Sequence, residues 1–149
     1  MTDRWLEDYV VGEVQEFGPI LVEEGDVVDF AQRFDAQPFH VDREAAGAGP
    51  LGGLIASGWH TVALMISLFA TEYLSPVSSL PSPGADELRW FRPVRPGQSL
   101  VLRTTVAEAR PSRSKPDRGT VRTRLEGLVS GEVVCSLVLT NLIRSRPRC

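Results

Sequence analysis

The segment that most constrains the fold is the apolar run GGLIASGWHTVALMISLFATEYL, residues 52–74. From Trp59 onwards no residue is charged until Glu72, so a helix here is apolar on nearly all sides and should be enclosed on nearly all sides. A membrane-spanning helix needs about 20 mostly apolar residues, whereas Ser57, His60 and other polar residues interrupt this run. The sequence therefore predicts one long helix buried inside a soluble protein.

Strand-like segments account for most of the remaining chain. In TVRTRLEGLV, the residues Val121, Thr123 and Leu125 alternate with charged residues, as in a strand with one buried face. The Ser130–Gly131 pair that follows is typical of a hairpin turn. Other segments with strand character are GEVQEFGPILVEE near the start, then ELRWFRPV, PGQSLVLRTTVAEAR and EVVCSLVLTNLI.

One long helix and roughly five strands in consecutive order predict an α+β fold in a single domain, residues 1–149. An antiparallel sheet wrapped around the helix is the natural way to cover it. A single curved sheet covers only one side of a helix, however, and its outer strand keeps a free edge. We therefore expect a homodimer or a higher homo-oligomer.

Composition excludes several other classes of protein. The chain is 42% hydrophobic and 23% charged, which is usual for a soluble globule. Its net charge of −3 gives no reason to expect nucleic acid or a membrane as partner. Cys135 and Cys149 form neither a disulfide framework nor a metal-ligand spacing. No apolar leader follows Met1, and we expect the protein to be cytoplasmic.

A candidate catalytic pair lies in RFDAQPFHVD, residues 33–42. Pro38 disfavours helix before it, so the preceding helix should end near Asp35 or Ala36. The negative end of that helix would then raise the pKa of Asp35. Asp35 and His40 flank a stiff turn, and a carboxylate and an imidazole that share one water form a proton-transfer pair suited to neutral pH. The alternative is that His40 bonds a backbone carbonyl while Asp35 closes a turn.

A second element lies at the start of the long helix, in IASGWHT. A helix N-terminus presents unpaired backbone N–H groups at the positive end of its dipole. Gly58 has no side chain, so a carbonyl oxygen could approach its amide as in an oxyanion hole. The alternative is a simple cap, with Ser57 as the N-cap residue and Gly58 allowing close packing.

Three motifs in order resemble the MaoC-like dehydratase family, which includes the (R)-specific enoyl-CoA hydratases. They are FDAQPFHVDREAA, GGLIASGWHT and LRWFRPVRPGQSL. The first matches the family's motif at four positions, Asp35, Pro38, His40 and Asp42, whereas Gln37 stands where Asn is usual and Phe34 where Gly is usual. The family's oxyanion-hole glycine falls on Gly58. In the third motif Gln98 replaces the usual Asp.

The resemblance implies a hotdog fold that acts on acyl-CoA thioesters. The implied reaction is reversible hydration of a 2-enoyl-CoA to a 3-hydroxyacyl-CoA. Asp35 and His40 would share the water, and the Gly58 amide would polarise the thioester carbonyl. No metal or redox cofactor is implied. The side chains assigned to substrate binding are those of Ser57, Trp59 and Phe39.

Two other functions stay open at this stage. A thioesterase of the same fold commonly carries a catalytic acid on its central helix, and this helix has no carboxylate before Glu72. A non-catalytic acyl-CoA-binding subunit is the other alternative, because Phe34 and Gln37 could reshape the turn that aims Asp35. Trp90, Arg92 and Arg95 are candidates for contacts to CoA phosphates, although exposed arginines are more often simply solvated. The sequence leaves open the acyl-chain length and branching, the product stereochemistry, and whether the acyl group carries a second carboxylate.

Overall fold

A computed structural model describes residues 2–149 of the chain. Five antiparallel strands form one sheet in the order β1-β3-β4-β5-β2. The strands are β1 Val14–Leu21, β2 Gly84–Trp90, β3 Ser99–Pro111, β4 Arg118–Val129 and β5 Glu132–Arg144. The helices are α1 Glu24–Phe34, α2 Pro38–Val41, α3 Arg43–Ala48 and α4 Gly58–Leu68, with a short 3-10 helix Leu6–Asp8 and a π-helical turn Phe69–Tyr73 that continues α4. This architecture confirms the predicted α+β fold with a sheet around a central helix.

The core lies between α4 and the sheet. Met65 and Phe69 point into it and are at most 1% exposed, and they meet apolar side chains of the three central strands, among them Leu100 and Leu125. Gly127 lets the helix approach β4 closely, since a Cβ there would lie 2.9 Å from the Met65 sulfur. Packing against this sheet, rather than a polar stripe on the helix, therefore fixes the position of α4.

The opposite face of α4 is not covered within one chain. Trp59, Ala63 and Ser67 follow one another at helical spacing and are exposed. The prediction that the helix is enclosed on nearly all sides is therefore wrong for a single chain, because one sheet covers one side. None of the helices within residues 2–149 has both the length and the apolar character that crossing a bilayer requires.

Short local signals place the segments that carry the site. Helix α1 ends at Phe34, and Asp35 is its C-cap residue, as the sequence predicts. Pro38 occupies the first turn of α2, where its missing N–H costs nothing. Asp42 then caps α3, because its Oδ1 accepts hydrogen bonds from the amides of Glu44 and Ala45, at 3.0 and 3.1 Å.

Candidate active site

The structure brings Asp35 and His40 together. His40 Nε2 lies 3.3 Å from Asp35 Oδ2, and the imidazole is only 5% exposed. The other ring nitrogen, Nδ1, lies 2.7 Å from the carbonyl oxygen of Ile55. A carbonyl only accepts, so Nδ1 carries a hydrogen and Nε2 is the nitrogen presented to Asp35. The ring thus bonds a backbone carbonyl, as the alternative interpretation expects, and also faces the carboxylate; a water shared by the two side chains stays a prediction.

Two hydrogen bonds hold the Asp35 carboxylate. Gln37 Nε2 donates to Oδ1 at 2.6 Å, and Ser57 Oγ donates to Oδ2 at 2.7 Å. The hydrogen bond from Gln37, followed by that from Ser57, lowers the pKa of Asp35. The expectation that the helix end raises this pKa is wrong, because direct hydrogen bonds to the carboxylate outweigh the partial charge of the helix terminus. Asp35 is therefore ionised at neutral pH.

Ser57 joins the two sequence motifs. It is the N-cap residue of α4, and its Oγ accepts a hydrogen bond from the Trp59 amide at 3.2 Å. Its hydroxyl hydrogen goes to Asp35, 22 residues earlier in the chain. The side chain is fully buried and does not line the cleft described below. Ser57 thus positions the carboxylate, and its assignment to substrate binding stays a prediction.

A cleft of about 470 Å³ opens beside these groups. The first residue of α4, Gly58, lines it, and the Gly58 amide has no hydrogen-bond partner within residues 2–149. The walls combine the polar groups of the site with apolar side chains. They comprise Asp35, Gln37, His40, Leu51, Ile55, Ala56, Gly58, Trp59, Thr61, Trp90, Phe91, Arg92, Pro93 and Val94.

Trp90 is a contact that the sequence reasoning missed. Its indole Nε1 donates to the Gly58 carbonyl at 2.9 Å, and a Cβ on Gly58 would lie 2.5 Å from Trp90 Cε2. A side chain on Gly58 would therefore clash with the indole that lies against it, and the role of the Gly58 amide as an oxyanion donor stays a prediction. The only sequence signal was the aromatic pair in WFRPV, which does not reveal a partner 32 residues away.

The remaining predicted residues differ in whether they line the cleft. Trp59 lines the cleft and meets Trp90 edge-on at 5.0 Å. Phe39 lies outside the lining and packs edge-on against His40 at 4.4 Å, so it supports the imidazole, and its role in substrate binding stays a prediction. His60 is buried and stacks on Phe30 at 4.7 Å, and burial lowers its pKa. The second histidine of the chain therefore packs inside the protein and does not line the cleft.

Comparisons with known proteins identify the family and the fold of the chain. The MaoC like domain matches residues 8–127. A MaoC-like dehydratase from Rhodospirillum rubrum is 38% identical with a TM-score of 0.87, over 97% of this chain and 99% of that one. The (R)-hydratase PhaJ1 from Pseudomonas aeruginosa is 25% identical with a TM-score of 0.76, over 95% and 86%.

A curated relative supports the same assignment. It is the 3-hydroxybutyryl-CoA dehydratase of Methylorubrum extorquens, which is 32% identical over 116 residues, 74% of this chain and 69% of the relative. The match to the MaoC like domain covers most of the chain, and the hotdog fold is shared with the solved structures. The chain therefore belongs to the MaoC-like dehydratase family.

Proposed function

We propose that the protein is a hydratase/dehydratase that interconverts a 2-enoyl-CoA and a 3-hydroxyacyl-CoA. The observation that carries the proposal is the pair Asp35 Oδ2 and His40 Nε2, 3.3 Å apart in a cleft that also contains Gly58. The family and the curated dehydratase relative support the same reaction class. No metal or redox cofactor enters the proposed reaction, because the thioester itself acidifies the carbon next to its carbonyl.

In the hydration direction, Asp35 and His40 hold one water molecule between them. As the water oxygen bonds to C3 of the enoyl group, a proton passes from the water to His40 Nε2. The ionised Asp35 stabilises the imidazolium that forms. That proton is then delivered to C2, so the water adds across the double bond and both side chains return to their starting state. The fixed Nδ1–H bond to Ile55 keeps the ring aimed throughout.

Negative charge develops on the thioester oxygen while the C3–O bond forms. The amide of Gly58 supplies the donor for that oxygen in the proposed mechanism. It lies at the N-terminus of α4, where the helix dipole also favours negative charge. Donors of this kind are worth about 10²–10³ in kcat.

Substitution of the pair tests the proposal. Asp35→Asn and His40→Ala should each lower kcat for crotonyl-CoA hydration by about 10²–10⁴-fold, the usual worth of a general acid–base group. The loss of enoyl absorbance measures the rate. Asp29→Asn is the matched control, because Asp29 is an exposed carboxylate on α1 and should leave the rate unchanged. Wild-type rates in both site variants would refute the assignment.

A thiol-release assay separates hydration from thioester hydrolysis. Helix α4 carries no carboxylate, which disfavours a thioesterase that uses an acid on this helix. We expect no thiol release from a saturated acyl-CoA under conditions in which crotonyl-CoA is hydrated. Tight acyl-CoA binding without conversion of any enoyl substrate would instead indicate a binding subunit.

We also propose that two copies of the chain associate through the uncovered side. The outer edge of β2 pairs with no strand, and the Trp59 face of α4 is exposed next to it. Trp90 and Phe91 add large apolar surface, at 43% and 58% exposure. Sedimentation velocity should therefore give about twice the mass of one chain, 16.4 kDa. A monomer at micromolar concentration would contradict this proposal.

A further inference from the structure

One arginine differs from all others of similar burial. Five arginines within residues 2–149 are partly buried. Four of them pair with a carboxylate, as Arg4 with Glu13, Arg103 with Glu126, Arg118 with Asp117 and Arg122 with Asp86. Arg95 is the fifth, and it has no carboxylate within 4.0 Å among those residues.

Arg95 is held in place beside the cleft. Its backbone amide donates to Gln98 Oε1 at 2.8 Å, and its Nη2 donates to the Leu51 carbonyl at 2.6 Å. Leu51 lines the cleft that contains Asp35 and His40, as does Val94, the residue before Arg95. The guanidinium therefore lies at the edge of the candidate active site, against the Leu51 segment that forms part of its wall.

The surroundings of Arg95 leave its charge without compensation. A charge that is partly removed from water is unfavourable unless an opposite charge or several hydrogen bonds offset the loss. The Leu51 carbonyl uses one of the five guanidinium N–H donors. Gly53 lies close to the second terminal nitrogen, since a Cβ on it would lie 3.4 Å from Nη1, so glycine backbone flanks the guanidinium there.

Arg92, three residues earlier, serves as the contrast. It lines the cleft too, but its side chain is 61% exposed and pairs with Glu132. Its charge is both solvated and neutralised, so it has no need of a further anion. The sequence could not separate these two arginines, whereas the structure does.

We propose that Arg95 binds an anionic group of the thioester substrate. Guanidinium presents paired N–H donors that match a phosphate or a carboxylate, and two groups offer this chemistry. One is a phosphate of coenzyme A, and the other is a second carboxylate on the acyl group. The inference rests on the proposed function for its substrate class and adds a subsite to it.

Thioesters with and without each anion test the subsite. Arg95→Met keeps much of the side-chain length and removes the charge. Loss of a hydrogen bond to a charged group predicts a rise in KM of about 10- to 100-fold. A rise with crotonyl-CoA but not with the crotonyl thioester of N-acetylcysteamine identifies a CoA phosphate. A rise with the N-acetylcysteamine thioester of an unsaturated dicarboxylic acid, but not of crotonic acid, identifies an acyl carboxylate.

A binding measurement keeps this inference separate from the proposed reaction. Calorimetry with coenzyme A, and with the succinyl thioester of N-acetylcysteamine, requires no turnover. We expect one of the two to bind about 10- to 100-fold more weakly to Arg95→Met. Arg124→Met is the matched control, since Arg124 is an exposed arginine on β4, and it should bind both as the wild type does.

The outcomes divide clearly. Equal KM and equal binding in Arg95→Met and wild type overturn the subsite even if crotonyl thioesters are hydrated. Weaker binding in a protein that hydrates nothing leaves the subsite standing and refutes the reaction. If Arg95→Met does not fold, Arg95→Lys keeps a donor for Leu51 and a charge but loses the paired N–H geometry, and a wild-type KM in that variant also counts against a guanidinium subsite.

Discussion

Gly58→Ala probes the contact on which the oxyanion assignment depends. The new Cβ would lie 2.5 Å from Trp90 Cε2 and 2.6 Å from Nε1, about an ångström closer than atoms of this kind approach. Gly58 is the first residue of α4, and the Ser57 cap fixes its backbone. We therefore expect the indole to move, because it is 43% exposed and has room towards solvent.

The cost follows from what the indole loses. Moving it ends its hydrogen bond to the Gly58 carbonyl, a loss of about 0.5–1.5 kcal/mol. It also weakens the edge-on contact with Trp59, a loss of about 0.5–1.5 kcal/mol. The higher helix propensity of alanine returns up to about 1 kcal/mol. We expect Gly58→Ala to lower the free energy of unfolding by about 1–2 kcal/mol. It should lower kcat by about 10- to 100-fold, since small displacements of a catalytic donor have effects of that size.

A double-mutant cycle isolates the cause. Urea unfolding of wild type, Gly58→Ala, Trp90→Ala and the double variant is measured at one protein concentration, because the stability of an oligomer depends on it. In the Trp90→Ala background the indole is absent, so Gly58→Ala should cost close to nothing. The coupling energy should then be about 1–2 kcal/mol. Equal costs of Gly58→Ala in both backgrounds would refute the contact and the argument built on it.

Two further predictions concern the carboxylate and the sheet. Gln37→Met should raise the pKa of Asp35, measured by ¹³C NMR of its carboxyl group, because the largest cause of its lowering is removed; an unchanged pKa would exclude that role. The lowered pKa of Asp35 stabilises the folded protein at pH values above the pKa that this carboxyl has in the unfolded chain, and the stabilisation is lost as pH falls through the folded-state pKa. Gln37→Met should therefore retain less of this stabilisation. Gly119→Ala places a Cβ 2.3 Å from the Arg110 carbonyl oxygen and should cost about 3 kcal/mol in urea unfolding. Gly25→Ala, which meets nothing within 4 Å, should cost none, and equal values would contradict the packing argument.

The features that the sequence predicted are those set by local pattern. The end of α1 at Asp35 follows from Pro38, and the turn between β4 and β5 follows from Ser130–Gly131, both at positive φ. The central helix follows from the uncharged run that begins at Trp59. The antiparallel sheet follows from the alternation of apolar and polar residues in the strand segments. The burial of α4 within a single chain was overestimated. An apolar face indicates that part of a helix is removed from water, but it does not indicate whether the same chain or a second copy covers that face.

What the sequence could not provide are the side-chain hydrogen bonds of the folded chain, both local and between distant segments, and these set the charge of Asp35. Asp35 has two immediate determinants, Gln37 two residues away and Ser57 22 residues away. The partial charge of the helix end includes neither hydrogen bond, so the sequence predicted the wrong direction for the shift in the pKa of Asp35. Arg95 illustrates the same limit, since its partner Leu51 lies 44 residues earlier. A residue type at a motif position therefore indicates which chemistry is available, whereas the side-chain hydrogen bonds of the folded chain determine whether the group is charged, aimed and free to act.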